Sequence, residues 1–120
     1  MKKLVTSIIL LLSVTSIYSQ NFEELSFGTS NTFDVVTWNV EQFPKMGQTT
    51  IDHVKQIIEN LDAEVVAFQE ISDSASFNQM ADELEGYNGY FKSTSFSGLD
   101  LAYIYKADEV EINDSYEILT

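Results

Sequence analysis

Two runs of β-branched and apolar residues, FDVVTW at 33–38 and AEVVAFQEI at 63–71, flank a segment whose apolar residues recur at helical spacing. That order constrains the fold more than any other feature of the chain. The first run is continuous rather than alternating, and reads as a strand covered on both faces; the second reads as another buried strand. Between them, after a loop containing Pro44 and Gly47, Thr49 or Thr50 is expected to cap a helix, with Asp52 three residues beyond Thr49 in a near relative of the capping box. Ile51, Val54, Ile57, Ile58 and Leu61 form the face that packs on a sheet, while Asp52, Lys55 and Glu59 face water. A short turn at Asp62 leads into the second strand. Strand, helix and strand in this order make a βαβ unit, which sets the two strands parallel.

Downstream, Phe77, Met80, Ala81 and Leu84 lie on one helical stripe that Gly86 is placed to end. Strand signals follow at 89–94 and 99–106, with weaker runs at 110–112 and 116–119, and consecutive strands of this kind pair antiparallel. The expected class is α/β. With 44% hydrophobic residues and one proline, composition is ordinary for a single globular domain. No closing helix or cap is visible by Thr120, so residues 33–120 are expected to be the front part of a longer domain.

Residues 1–19 place Lys2 and Lys3 before an apolar run and Ser19 after it, the layout of a secretory signal peptide. The run is too short and too rich in Ser and Thr for a spanning helix, so no stable membrane span is expected after cleavage. The expected location is secreted or periplasmic, and residues 20–32 read as a polar, turn-rich linker. Removing residues 1–19 leaves 4 lysines against 19 acidic residues, a net charge of −15. Such a field repels phosphate backbones unless a metal ion or a basic patch offsets it. The absence of cysteine excludes disulfide stapling and thiolate chemistry.

Asn39 ends the first run and Glu70 ends the second. In a parallel unit both ends lie on one edge of the sheet, where open α/β sheets bind ligands, and neighbouring strands are about 4.8 Å apart. One carboxylate and one amide oxygen form a sparse, hard donor set that suits Mg²⁺ far better than Zn²⁺. The alternative for Asn39 is an Asx cap that turns the chain out of its strand, and for Glu70 a solvated strand-end carboxylate. VVTWNVEQF and DAEVVAFQEI, separated by an amphipathic helix, resemble the opening of the endonuclease/exonuclease/phosphatase superfamily of Mg²⁺-dependent phosphoesterases. The segment 97–112 also resembles a later strand of that superfamily, with Asp100 and Tyr103 the looser fits.

The resemblance implies a four-layer α/β/β/α sandwich, of which this chain would supply the N-terminal part: a βαβ unit, a helix and mainly antiparallel strands. It implies that Glu70 is the principal metal ligand and that Asn39 lies in the active site beside metal and phosphate. Mg²⁺ is the implied cofactor, with Mn²⁺ and Ca²⁺ as alternatives. The implied activity is phosphodiester hydrolysis, with DNA the first substrate and a phospholipid or sugar phosphodiester the second. The superfamily's later motifs, among them a closing Asp-His pair, have no counterpart before Thr120, so the 120-residue chain alone is expected to be inactive. A noncatalytic secreted binding module is the rival reading, and no protein partner is inferable.

Other chemistry-bearing residues read as ordinary. His53, at the margin of the helical stripe, is expected to be partly buried or on the surface. Glu41 is expected in a supporting or solvated role. Trp38, Tyr87, Tyr90, Phe91, Phe96, Tyr103 and Tyr105 are expected in the core, and Lys55 and Glu59 as an exposed helix pair.

Overall fold

The apolar runs and helical stripes resolve into β1 (Val35–Phe43), α1 (Gln48–Leu61), β2 (Val65–Ile71), α2 (Ser74–Glu83), β3 (Tyr87–Lys92) and β4 (Asp100–Lys106). The computed structural model describes residues 25, 28–93 and 96–116. The expected signal peptide and most of the expected linker lie outside these residues, as does most of the 116–119 run. No described helix is long and apolar enough to cross a membrane.

The four strands form one mixed sheet in the order β1-β2-β4-β3. β1 and β2 are parallel across α1, and β4 runs antiparallel to both β2 and β3. The α/β class, the βαβ unit and the antiparallel strands after it are as the sequence indicated. Both helices lie on one face of the sheet. Ile51, Val54 and Ile58 of α1 and Phe77, Met80 and Ala81 of α2 bury against Val66, Phe68, Ala102 and Ile104. Each large apolar side chain removed from water in this way contributes about 1.5–3 kcal/mol. Phe77 is central, its ring 6.4 Å from Phe68 and 6.0 Å from Phe91. Gly89 lets α2 come close: a Cβ there would sit 2.6 Å from that of Ala81.

The other face of the sheet is largely open, which corrects the expectation of a doubly covered first strand. Phe33 precedes β1 and is 60% exposed, and Val35 is 58% exposed. The reason is topological: β1 is an edge strand, and the helices cover its Val36, Trp38 and Val40 side alone. Tyr90, Tyr103 and Tyr105 also stand on the open face, not in the core. There the segment 110–116, which forms no strand, folds back over part of the sheet. The Tyr90 and Ser115 hydroxyls are hydrogen bonded, and the three tyrosines with Val110 and Ile112 line a hollow of about 350 Å³. Phe96 is fully exposed.

Three local expectations also change. Neither Thr49 nor Thr50 caps α1; Gly47 precedes the helix with no side-chain cap, and the Thr50 hydroxyl instead accepts the Met46 N–H. α2 ends at Glu83, before Gly86, because Leu84 leaves the helix in an extended conformation. Lys55 reaches across to Glu83 of α2, Nζ to Oε2 2.6 Å, rather than to Glu59.

At the rim where β2 begins and β4 ends, Lys106 closes the fold. Its ammonium lies 3.0 Å from Glu64 Oε1, 3.1 Å from Asp62 Oδ1 and 3.8 Å from Glu109 Oε1. The other oxygen of Glu64 accepts the backbone N–H of Asp34 at the entry to β1. That N–H, seconded by Lys106, holds the Glu64 carboxyl below the usual carboxylate range. Burial alone would lower the Lys106 ammonium, but its hydrogen bonds to Glu64 and Asp62 outweigh it and hold the group well above its ordinary value.

Candidate functional site

The parallel pairing of β1 and β2 brings their carboxyl ends to one rim, with Asn39 directly opposite Gln69. On β1, strand alternation puts Val36, Trp38 and Val40 toward the helices and Asn39 toward the open face. On β2, Val66 and Phe68 point into the core, so a regular strand would send Glu70 there as well. A break in both ladders prevents this. Pairing with β1 shifts between Asn39 and Phe43, and pairing with β4 shifts between Phe68 and Ile71. Glu70 takes a left-handed backbone with φ of 65°, so Ile71 enters the core and the Glu70 carboxylate turns to Asn39. Re-aiming one side chain in this way is what a β-bulge does, and bulges concentrate next to active sites.

The result is a direct contact: Asn39 Nδ2 donates to Glu70 Oε1 at 2.9 Å. The amide is held from behind, because the Glu41 backbone N–H donates to Asn39 Oδ1 at 2.9 Å. A backbone donor on Oδ1 fixes which end of the amide faces the carboxylate. The Asx turn that the sequence offered as the plain alternative is therefore present together with the Asn39–Glu70 contact. The Glu41 side chain turns away to Lys45 Nζ at 2.5 Å.

Beyond the bulge, the Ser72 N–H and hydroxyl both donate to the Phe43 carbonyl, at 3.0 and 2.8 Å, and rejoin the two strand ends. Glu41 and Gln42 are also left-handed, with φ of 46° and 57°. Three non-glycine residues at one rim thus hold a conformation that costs L-residues about 1 kcal/mol each, and such strain gathers at functional sites. Neither the strain nor the Ser72 clamp was foreseen. The one available signal was the glutamine-glutamate pair closing an otherwise apolar strand.

Two more carboxylates share this rim. Asp73 caps α2, accepting the Ala75 and Ser76 N–H groups at 3.1 and 3.3 Å; the Ser76 hydroxyl, ahead of these amides, lowers its pKa. Asp100 opens β4 opposite Ile71, is buried, and accepts the Ser93 hydroxyl at 3.2 Å. His53 is exposed on α1.

The described residues hold no cluster of three or more His, Cys, Asp or Glu able to cage a metal ion. What the rim offers is one oriented carboxylate, whose Oε2 takes no hydrogen bond among the described residues, with an amide beside it. The carboxylate fits Mg²⁺, which keeps most of its waters and takes one or two protein carboxylates; Asn39 turns its Nδ2 rather than its Oδ1 to Glu70, so the amide oxygen expected as a second donor faces the Glu41 N–H instead. The rim does not fit Zn²⁺. No family model, curated protein or solved structure matches the chain.

Proposed function

We propose that this chain is the N-terminal part of an exported, metal-dependent phosphodiesterase of the endonuclease/exonuclease/phosphatase type, with Glu70 as the metal-holding residue. The observation that carries the proposal is the Asn39–Glu70 hydrogen bond at the carboxyl rim, made by a glutamate in a left-handed conformation. The left-handed backbone is what turns Glu70 from the core side of β2 to the rim beside Asn39.

In this reading Glu70 presents Oε2 to the cation while Asn39 holds Oε1. Asn39 keeps the carboxylate in one orientation and presents its amide to an incoming phosphate. Bound at Glu70, Mg²⁺ supplies Lewis-acid polarisation of a phosphoryl oxygen and stabilises the leaving oxygen. The open sheet face, with Val35 and Tyr103 exposed, supports a second sheet packing there to complete a four-layer sandwich. One observation favours the noncatalytic module: Asn39 Oδ1 is occupied by the Glu41 N–H, as a simple strand-ending turn requires.

Mn²⁺ titrated into the 120-residue chain and followed by its electron paramagnetic resonance signal separates the two readings. The bound fraction is expected to be saturable and to vanish in Glu70→Ala. Equal Mn²⁺ binding by Glu70→Ala would remove the metal reading and leave the binding module.

A further inference from the structure

Asn39 pairs with Gln69 and Phe43 with Ile71, so three residues of β1 stand against Glu70 alone on β2. Glu41, Gln42 and Glu70, the left-handed non-glycine residues of this rim, all lie inside that gap. Before it the strands are well secured. Five successive register pairs run from Val35 with Val65 to Asn39 with Gln69, and Gln69 Nε2 adds a hydrogen bond to Thr37 Oγ1 at 2.9 Å. Beyond it the connection is thinner: Phe43 and Ile71 are buried, and Ser72 donates both its N–H and its hydroxyl to the Phe43 carbonyl.

The Ser72 hydroxyl makes no other hydrogen bond among the described residues, and the N–H alone would already join the strand ends. What the second donor adds is orientation. A carbonyl oxygen has two lone pairs. One donor leaves the strand ends free to turn about a single bond, whereas two donors from one residue occupy both lone pairs and fix the angle. Residues 39–43 and 69–72 then form a closed ring, tied where Asn39 faces Gln69 and where Ser72 meets Phe43. A return of Glu70 to ordinary strand geometry would shift Ile71 and Ser72 and break the second tie. It would also send the Glu70 carboxylate to the other face of the sheet, away from Asn39.

We infer that Ser72 is a positioning residue for Glu70: its hydroxyl, acting through the Phe43 carbonyl, keeps the bulge in the form that lays the Glu70 carboxylate against Asn39. The inference rests on the reading of Glu70 as the cation's ligand, in which that orientation sets metal affinity.

The test compares the native 120-residue chain with Ser72→Ala, which keeps the N–H and loses the hydroxyl, and with Ser72→Thr, which keeps both. Mn²⁺ affinity is followed by electron paramagnetic resonance. The side-chain amide signals of Asn39, followed by nuclear magnetic resonance, report its contact with Glu70 without any metal. In Ser72→Ala the Mn²⁺ affinity is expected to fall about tenfold, as when other groups that orient a metal ligand are lost. The Asn39 signals should move toward their positions in Glu70→Ala, and Ser72→Thr should restore both readouts. A Ser72→Ala chain that binds Mn²⁺ as the native one does, with the Asn39 signals unmoved, would overturn the inference. So would a Ser72→Ala chain that no longer folds by circular dichroism, because the serine would then serve the fold and not the site. Absence of Mn²⁺ binding by the native chain is a different result: it removes the metal reading, while the Asn39 signals still decide whether Ser72 positions Glu70.

Discussion

The two rims of the sheet are built on opposite principles. At one, Lys106 is 16% exposed and Glu64 is 8% exposed; the ammonium meets three carboxylates, and both Glu64 oxygens are engaged. At the other, Glu70 has one hydrogen-bonded oxygen and an exposed partner in Asn39. The Lys106 rim has spent its polar capacity on the fold, joining the entry to β1, the α1–β2 turn and the end of β4. The Glu70 rim holds acceptor capacity in reserve; left-handed residues occur at both rims, Asp62 at the first and Glu41, Gln42 and Glu70 at the second. A saturated ion-pair node has a structural role, whereas the oriented but unsaturated carboxylate is what the proposed ligand role of Glu70 rests on.

If that contrast is right, substitutions at the two rims should act in opposite directions. The largest effect is expected from Lys106→Met, which leaves the buried Glu64 carboxylate without its cation. It should lower the melting temperature by about 10 °C, measured by circular dichroism. A smaller effect appears on acidification. Because Glu64 is held below its ordinary value near 4.5, its contribution is complete above that pH and is lost as the pH falls through the lowered folded value. The urea midpoint of the native chain should therefore fall more steeply below about pH 4.5 than that of Glu64→Gln. Parallel curves would deny Glu64 its place in the node. The smallest effect has the opposite sign. Glu70→Gly relieves the left-handed strain, partly offset by the added freedom of the unfolded chain, and should raise stability by about 0.5 kcal/mol in urea unfolding. A loss of stability there would mean that Glu70 belongs to the fold as firmly as Lys106 does.

Much of this architecture could be read from residue order. The runs at 35–38 and 65–68 and the stripe of Ile51, Val54 and Ile58 each signal one element, and local pattern decides them. The rim shared by Asn39 and Glu70 followed from the parallel connection. Coverage of the sheet was not legible, because Val35 and Val36 are equally apolar while only Val36 meets a helix. The bulge was hidden as well: Glu41, Gln42 and Glu70 are not residues that advertise a positive φ. The Lys106 node was invisible for a different reason. Glu64 lies 42 positions from Lys106, and nothing local in either segment names the other.

The position of β1 at the edge of the sheet has a kinetic consequence. Among the described residues Asn39 hangs on a strand with a single neighbour, while Glu70 stands on one flanked on both sides. Edge backbones open first in native-state fluctuations, so amide protons near the end of β1 should exchange with solvent before those of β2. Each such opening carries the amide away from its carboxylate, and the lifetime of the pair is set by fraying at the margin rather than by the stability of the whole.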